Sequence, residues 1–159
     1  MLKASIQHGA PERGRPKKAA ASRAVSGRSA PGSAHQQRIL IVEDEIFVAW
    51  HLESILKDLD YAVSGIVPDG LSAMAQAREL GVNLILMDIN LKGDLDGIET
   101  ARRIRETSNA TIVFVTAYSD PTTLERIEAA VPGAPVLTKP VSSGRLRAAI
   151  AKALESRTS

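Results

Sequence analysis

The chain has 159 residues, room for one domain and a tail, and 44% of them are hydrophobic although only 3% are aromatic, so any core must be aliphatic. It has no cysteine, which excludes disulfides, thiolate metal sites and cysteine nucleophiles. The net charge of +2 divides unevenly: residues 1–37 carry seven Lys/Arg against one acid, a balance of +6, whereas residues 38–159 carry 13 basic and 17 acidic groups, a balance of −4. The folded part is therefore mildly acidic, which argues against nucleic-acid binding by that part.

Residues 1–37 are rich in Ala, Ser, Gly, Pro and Arg, and Leu2, Ile6 and Val25 follow no period. Such a segment buries too little surface to offset its ordering entropy, so it is expected to be a disordered basic tail. The first residues lack the apolar stretch expected of a signal peptide, and no apolar run approaches the ~20 residues needed to cross a bilayer.

From Arg38 onward, five short apolar runs follow one another: Ile39–Val42, Ala62–Val67, Leu84–Met87, Ile112–Val115 and Pro135–Leu137. Mostly aliphatic runs of this length, without polar alternation, read as strands buried on both faces. Stripes with helical period separate them. The first is Val48, Leu52, Ile55, Leu59, and the second begins with Leu71 and Met74. Ile98, Ala101 and Ile104 mark the third, Leu124, Ile127 and Val131 the fourth, and Leu146, Ile150 and Leu154 the last. Gly81 stands where the second helix should stop, and Asp120 with Pro121 forms a start signal for the fourth. Five βα repeats over residues 38–159 predict an α/β domain: a flavodoxin-like (βα)5 parallel sheet in the order 2-1-3-4-5, with helices on both faces.

In such a sheet ligands bind beyond the carboxyl ends of the strands, where the strand order reverses. Glu43, Asp44 and Glu45 follow the first strand, Asp88 ends the third, Thr116 the fourth, and Lys139 with Pro140 the fifth. Singly, each has an ordinary explanation; Asp44 could cap the first helix, and Lys139 could be a surface lysine. Jointly they suit one chemistry. Crowded carboxylates resist ionisation unless they share a cation, and hard oxygen donors without His or Cys select Mg²⁺, Ca²⁺ or Mn²⁺. A lysine and a hydroxyl opposite such a cation suit a phosphoryl group, and an Asp carboxylate can be its acceptor.

Five motifs in order make the chain resemble a bacterial two-component response-regulator receiver domain, of the stand-alone, chemotaxis-regulator type. They are Ile39–Glu45 (Ile-Leu-Ile-Val-Glu-Asp-Glu), Leu86–Leu91 (Leu-Met-Asp-Ile-Asn-Leu), Asp96-Gly97-Ile98, Val115-Thr116-Ala117 and Thr138-Lys139-Pro140. The resemblance implies that Asp88 is the phospho-acceptor. It further implies that Asp44, Asp88 and the carbonyl of Asn90 bind Mg²⁺, with Glu43 acting through water. Thr116 and Lys139 would contact the phosphoryl group, and the Lys139–Pro140 bond would be cis. Receivers commonly place an aromatic switch residue where this chain has Val136; Tyr118, two residues after Thr116, is the substitute expected here.

The resemblance also implies a phosphorelay or signalling role in the cytoplasm rather than a conventional enzyme. The phosphoryl donor would be a sensor histidine kinase or histidine phosphotransfer protein, and the output a downstream protein target. A homodimer through helix 4, strand 5 and helix 5 is compatible with it; a DNA-binding domain and a membrane partner are not expected. A haloacid-dehalogenase-type hydrolase would need its nucleophile after the first strand, a flavodoxin would need Ser, Thr or Gly there, and a degenerate scaffold would lack Asp88 or Lys139.

Overall fold

A computed structural model describes residues 37–158 except Leu80 and Tyr118. The expected tail, but for Gln37, and the expected switch residue Tyr118 thus lie outside the described residues. The elements are β1 (Arg38–Val42), α1 (Ile46–Asp58), β2 (Ala62–Val67), α2 (Gly70–Glu79), β3 (Leu84–Asp88), α3 (Gly97–Thr107), β4 (Thr111–Thr116), α4 (Pro121–Ala130), β5 (Val136–Thr138) and α5 (Ser143–Glu155). All strand pairs are parallel and the order is β2-β1-β3-β4-β5, as the alternation predicts.

The two-residue period of the strands sorts the core into two layers. Leu40, Val42, Ile85, Met87, Ile112 and Phe114 face α2, α3 and α4, where they meet Ala73, Ala77, Ile98, Ala101, Ile104 and Ile127. Ile39, Ile41, Leu84, Leu86, Val113 and Val115 face α1 and α5, where they meet Ala49, Leu52, Leu56, Leu146, Ile150 and Ala153. Burial on both faces holds throughout β3 and for β1 and β4 apart from their first residues; the edge strands β2 and β5 are mostly half-buried because each has one neighbour.

Two helical stripes need correction. Leu71 is 68% exposed, and α2 instead buries Gly70, Ala73 and Ala77. The cause is the close approach of α2 to α3: a β-carbon at Gly70 would stand 2.2 Å from Thr100 Oγ1, so the small residues turn inward. Leu124 is likewise exposed at the start of α4, where Ile127 is the buried anchor. The punctuation signals hold. Asp120 accepts a hydrogen bond from the Thr123 N–H at 3.0 Å, and Gly81 just beyond α2 has φ +58°.

Candidate functional site

The neighbouring strands β1, β3, β4 and β5 end at one rim of the sheet, and their last residues assemble the site. Glu43 continues from β1, its N–H bonded to the Val67 carbonyl at 3.0 Å. Asp88 closes β3 in register with Val115, which places it beside Thr116. Lys139 follows β5 and donates its N–H to the Thr116 carbonyl at 2.8 Å. The Lys139–Pro140 bond is cis, as the resemblance implies. Glu43, Asp88 and Thr116 are buried.

Lys139 Nζ donates to Glu43 Oε2 at 2.6 Å and lies 3.5 Å from Asp88 Oδ1. The Glu45 N–H holds the other Glu43 oxygen at 3.1 Å. Glu43, Asp44 and Asp88 each offer an oxygen within 4.8 Å of the others. Asp44 does not cap α1: the N-cap is Glu45, with no side-chain cap bond. Asn90 is the second residue past β3, and its N–H approaches Asp88 Oδ1 at 3.4 Å. Val136 is half-buried on β5, opposite Phe114.

Three carboxylates against one close lysine leave the rim electron-rich. Burial pushes the Glu43 carboxyl above its usual range, opposed by the Lys139 hydrogen bond and the Glu45 N–H and reinforced by Asp88. Burial alone would lower the Lys139 ammonium, but the Glu43 hydrogen bond and the charges of Asp88 and Glu43 outweigh it and raise the group. The two shifts differ in origin: burial dominates at Glu43, and the neighbouring carboxylates dominate at Lys139. Compact oxygen ligands with no His or Cys among them fit a hard divalent cation such as Mg²⁺.

Two features of the rim escape the sequence reading. Lys92 reaches to 3.9 Å from Asp44, and Ile46, Phe47 and Trp50 of α1 lie open to solvent, with Phe47 and Trp50 edge to face at 5.8 Å. Beside them a cavity of about 440 Å³ runs from Phe47 and His51 to Val115, Lys139 and Pro140. The signal for the apolar trio was present: these residues fall off the Val48–Leu52–Ile55 stripe and yet are large and apolar.

The fold and site together define a doubly wound α/β domain with a cluster of three carboxylates at the switch point of its sheet. Residues 39–151 match the response regulator receiver domain, and the chain belongs to that family. Domains of this family act in two-component systems, accept a phosphoryl group, bind Mg²⁺ in an acidic pocket and interact with histidine kinases and downstream targets.

Among solved structures, the receiver domain of a modulated diguanylate cyclase from Desulfovibrio desulfuricans G20 is 36% identical, with a TM-score of 0.71, 76% of this chain covered and 95% of that one. The receiver domain of the sensor histidine kinase PA1611 from Pseudomonas aeruginosa PAO1, with a magnesium ion in its active-site cleft, is 30% identical, with a TM-score of 0.67 and coverage of 75% and 98%. A protein-glutamate methylesterase/protein-glutamine glutaminase of Trichodesmium erythraeum is 32% identical over 116 residues, 71% of this chain and 33% of that protein. The transcriptional regulatory protein YrkP of Bacillus subtilis is 36% identical over 114 residues, 71% of this chain and 47% of that protein. The chain thus spans a third to a half of the length of these two curated relatives. Among the described residues no helix is long and apolar enough to cross a membrane.

Proposed function

We propose that this chain accepts a phosphoryl group on Asp88 from a phosphohistidine of a sensor kinase or phosphotransfer protein, and that it signals through a protein partner. The observation that carries this reading is Lys139 Nζ poised between Glu43 at 2.6 Å and Asp88 at 3.5 Å, at the rim where β4 ends in buried Thr116.

An Asp88 carboxylate oxygen attacks phosphorus, the new O–P bond forms as the P–N bond breaks, and the imidazole leaves with the bonding pair. Glu43, Asp44, Asp88 and the Asn90 carbonyl are the groups to hold Mg²⁺, which when bound neutralises charge on the phosphoryl oxygens. Lys139 is a mobile point charge: it can leave Asp88 for a phosphoryl oxygen while remaining near Glu43. Thr116 supplies a hydroxyl donor one register step from Asp88.

Delivery of the phosphoryl group requires the donor to cover this rim. Ile46, Phe47 and Trp50 begin one residue beyond Glu45, and Phe47 is 79% exposed. Their continuity with the reacting carboxylates makes them the landing surface for the phosphohistidine protein. Output then belongs to surfaces away from α1, and Tyr118 remains the proposed switch residue in place of an aromatic at Val136.

With Mg²⁺ and acetyl phosphate the wild-type chain should acquire one acid-stable, base-labile phosphoryl group, and Asp88→Asn should reduce labelling to background. A labelled Asp88→Asn chain, with another carboxylate carrying the group, would overturn the assignment.

A further inference from the structure

The motif Asp96-Gly97-Ile98 has no chemical group of its own at the rim, yet Gly97 makes the tightest backbone approach of any described glycine. A β-carbon at position 97 would stand 1.9 Å from the Asp88 carbonyl oxygen, 2.8 Å from its carbonyl carbon and 2.9 Å from Ile89 Cα. These are main-chain atoms of the acceptor residue and its neighbour, so no side-chain rotation can relieve the clash. The Gly97 N–H also donates to the Ile89 carbonyl at 2.8 Å.

The placement matters because Asp88 is the last residue of β3 and the chain leaves the sheet there. β1 ends at Val42, opposite Met87, so on that side no strand partner fixes Asp88. The segment Asp88–Asn90 carries both the acceptor carboxylate and the carbonyl proposed as a metal ligand. What meets its backbone from outside the sheet is the first turn of α3. That turn is itself well tied. Asp96 accepts from the Glu99 N–H at 2.8 Å, Thr100 Oγ1 donates to the Asp96 carbonyl at 2.7 Å, and buried Thr100 is backed by Gly70 of α2.

We propose that Gly97 is a positioning residue: its bare α-carbon lets the first turn of α3 seat directly on the Asp88–Ile89 backbone, and that seat sets the aim of the Asp88 carboxylate and the Asn90 carbonyl. The inference rests on the acceptor role of Asp88. A misplacement of about 1 Å at a reacting group can cost on the order of a hundredfold in rate, so even a partial shift is measurable.

The test uses the full chain and three variants. Gly97→Ala inserts the clashing carbon. Asp96→Ala unties the same turn without adding an atom. Gly133→Ala serves as a stability control, because Gly133 has φ +74° in the loop before β5, at the opposite end of the sheet. Mg²⁺ affinity is measured by calorimetric titration and Asp88 labelling by acetyl phosphate, both at a temperature where circular dichroism shows each variant folded.

Gly97→Ala should weaken Mg²⁺ binding and slow labelling by about tenfold each, and Asp96→Ala by about two- to fivefold. Gly133→Ala should lower Tm and change neither quantity. Wild-type affinity and rate in folded Gly97→Ala would overturn the proposal and leave Gly97 a purely structural glycine. If Gly97→Ala does not fold, unchanged affinity and rate in Asp96→Ala overturn it in the same way. Weakened Mg²⁺ binding in Gly97→Ala, with a wild-type chain that is never labelled on Asp88, would uphold the seat and sink the acceptor role.

Discussion

Two of the helices that leave the acidic rim, α1 and α3, are built on opposite plans. α1 starts after Glu45 without a side-chain cap and turns Ile46, Phe47 and Trp50 to solvent. α3 starts at a capped Asp96, buries Gly97, Ile98, Thr100, Ala101 and Ile104, and shows solvent a ladder of charges in which Arg102 and Arg103 both bind Glu99. A helix that leaves large apolar groups in water at a reactive rim is suited to receive a partner; one that is sealed below and charged above is suited to hold the site still. The contrast separates recognition from geometry in a domain of one sheet.

The sharpest way to break this contrast is to hollow out the sealed side. Ile104 is 1% exposed, in the layer beneath β3 and β4. Ile104→Ala should cost about 2–5 kcal/mol in a urea titration, from lost burial and the cavity left behind. A cost below about 1 kcal/mol would mean that α3 is not the rigid partner described.

The open side should respond in the opposite sense. Phe47→Ala should leave stability within about 0.5 kcal/mol, as for other surface substitutions, while lowering the rate of transfer from a cognate histidine kinase about tenfold. Labelling by acetyl phosphate should not change, because a small donor needs no docking surface. Equal losses with both donors would show that α1 supports the site rather than the partner.

The smallest expected effect concerns the ladder on α3. Arg102, then Arg103, hold the Glu99 carboxyl down at about 2 by hydrogen bonds. A depressed carboxylate contributes stability that is present above its unfolded value, about 4.5, and is lost as pH falls through about 2. Glu99→Gln should therefore be slightly less stable than wild type at pH 7, and the gap should close as pH falls toward 2. The Glu99 side chain is 34% exposed, so added salt should shrink the gap. A gap that persists unchanged at pH 2 would mean that the charge of Glu99 contributes nothing.

Much of this molecule was legible in its sequence because the relevant physics is local or periodic. Uninterrupted aliphatic runs such as Leu84–Met87 mark strands, the Ile98–Ala101–Ile104 stripe marks a helix, and Asp120-Pro121 marks a helix start. Alternation of strand and helix then dictates a parallel sheet, and the switch-point rule gathers Glu43, Asp44, Asp88, Thr116 and Lys139 at one rim before any coordinate is known. What stayed hidden depends on distances between segments far apart in the chain. That Leu71 turns outward follows from the approach of Gly70 to Thr100, 30 residues later. That Lys139 divides itself between Glu43 and Asp88 follows from how β1, β3 and β5 end in space. That Gly97 must lack a side chain follows from the Asp88 carbonyl lying where a β-carbon would go. Periodicity reports which face of an element is apolar; only packing decides how closely two backbones approach, and at this rim that approach sets where the carboxylates point.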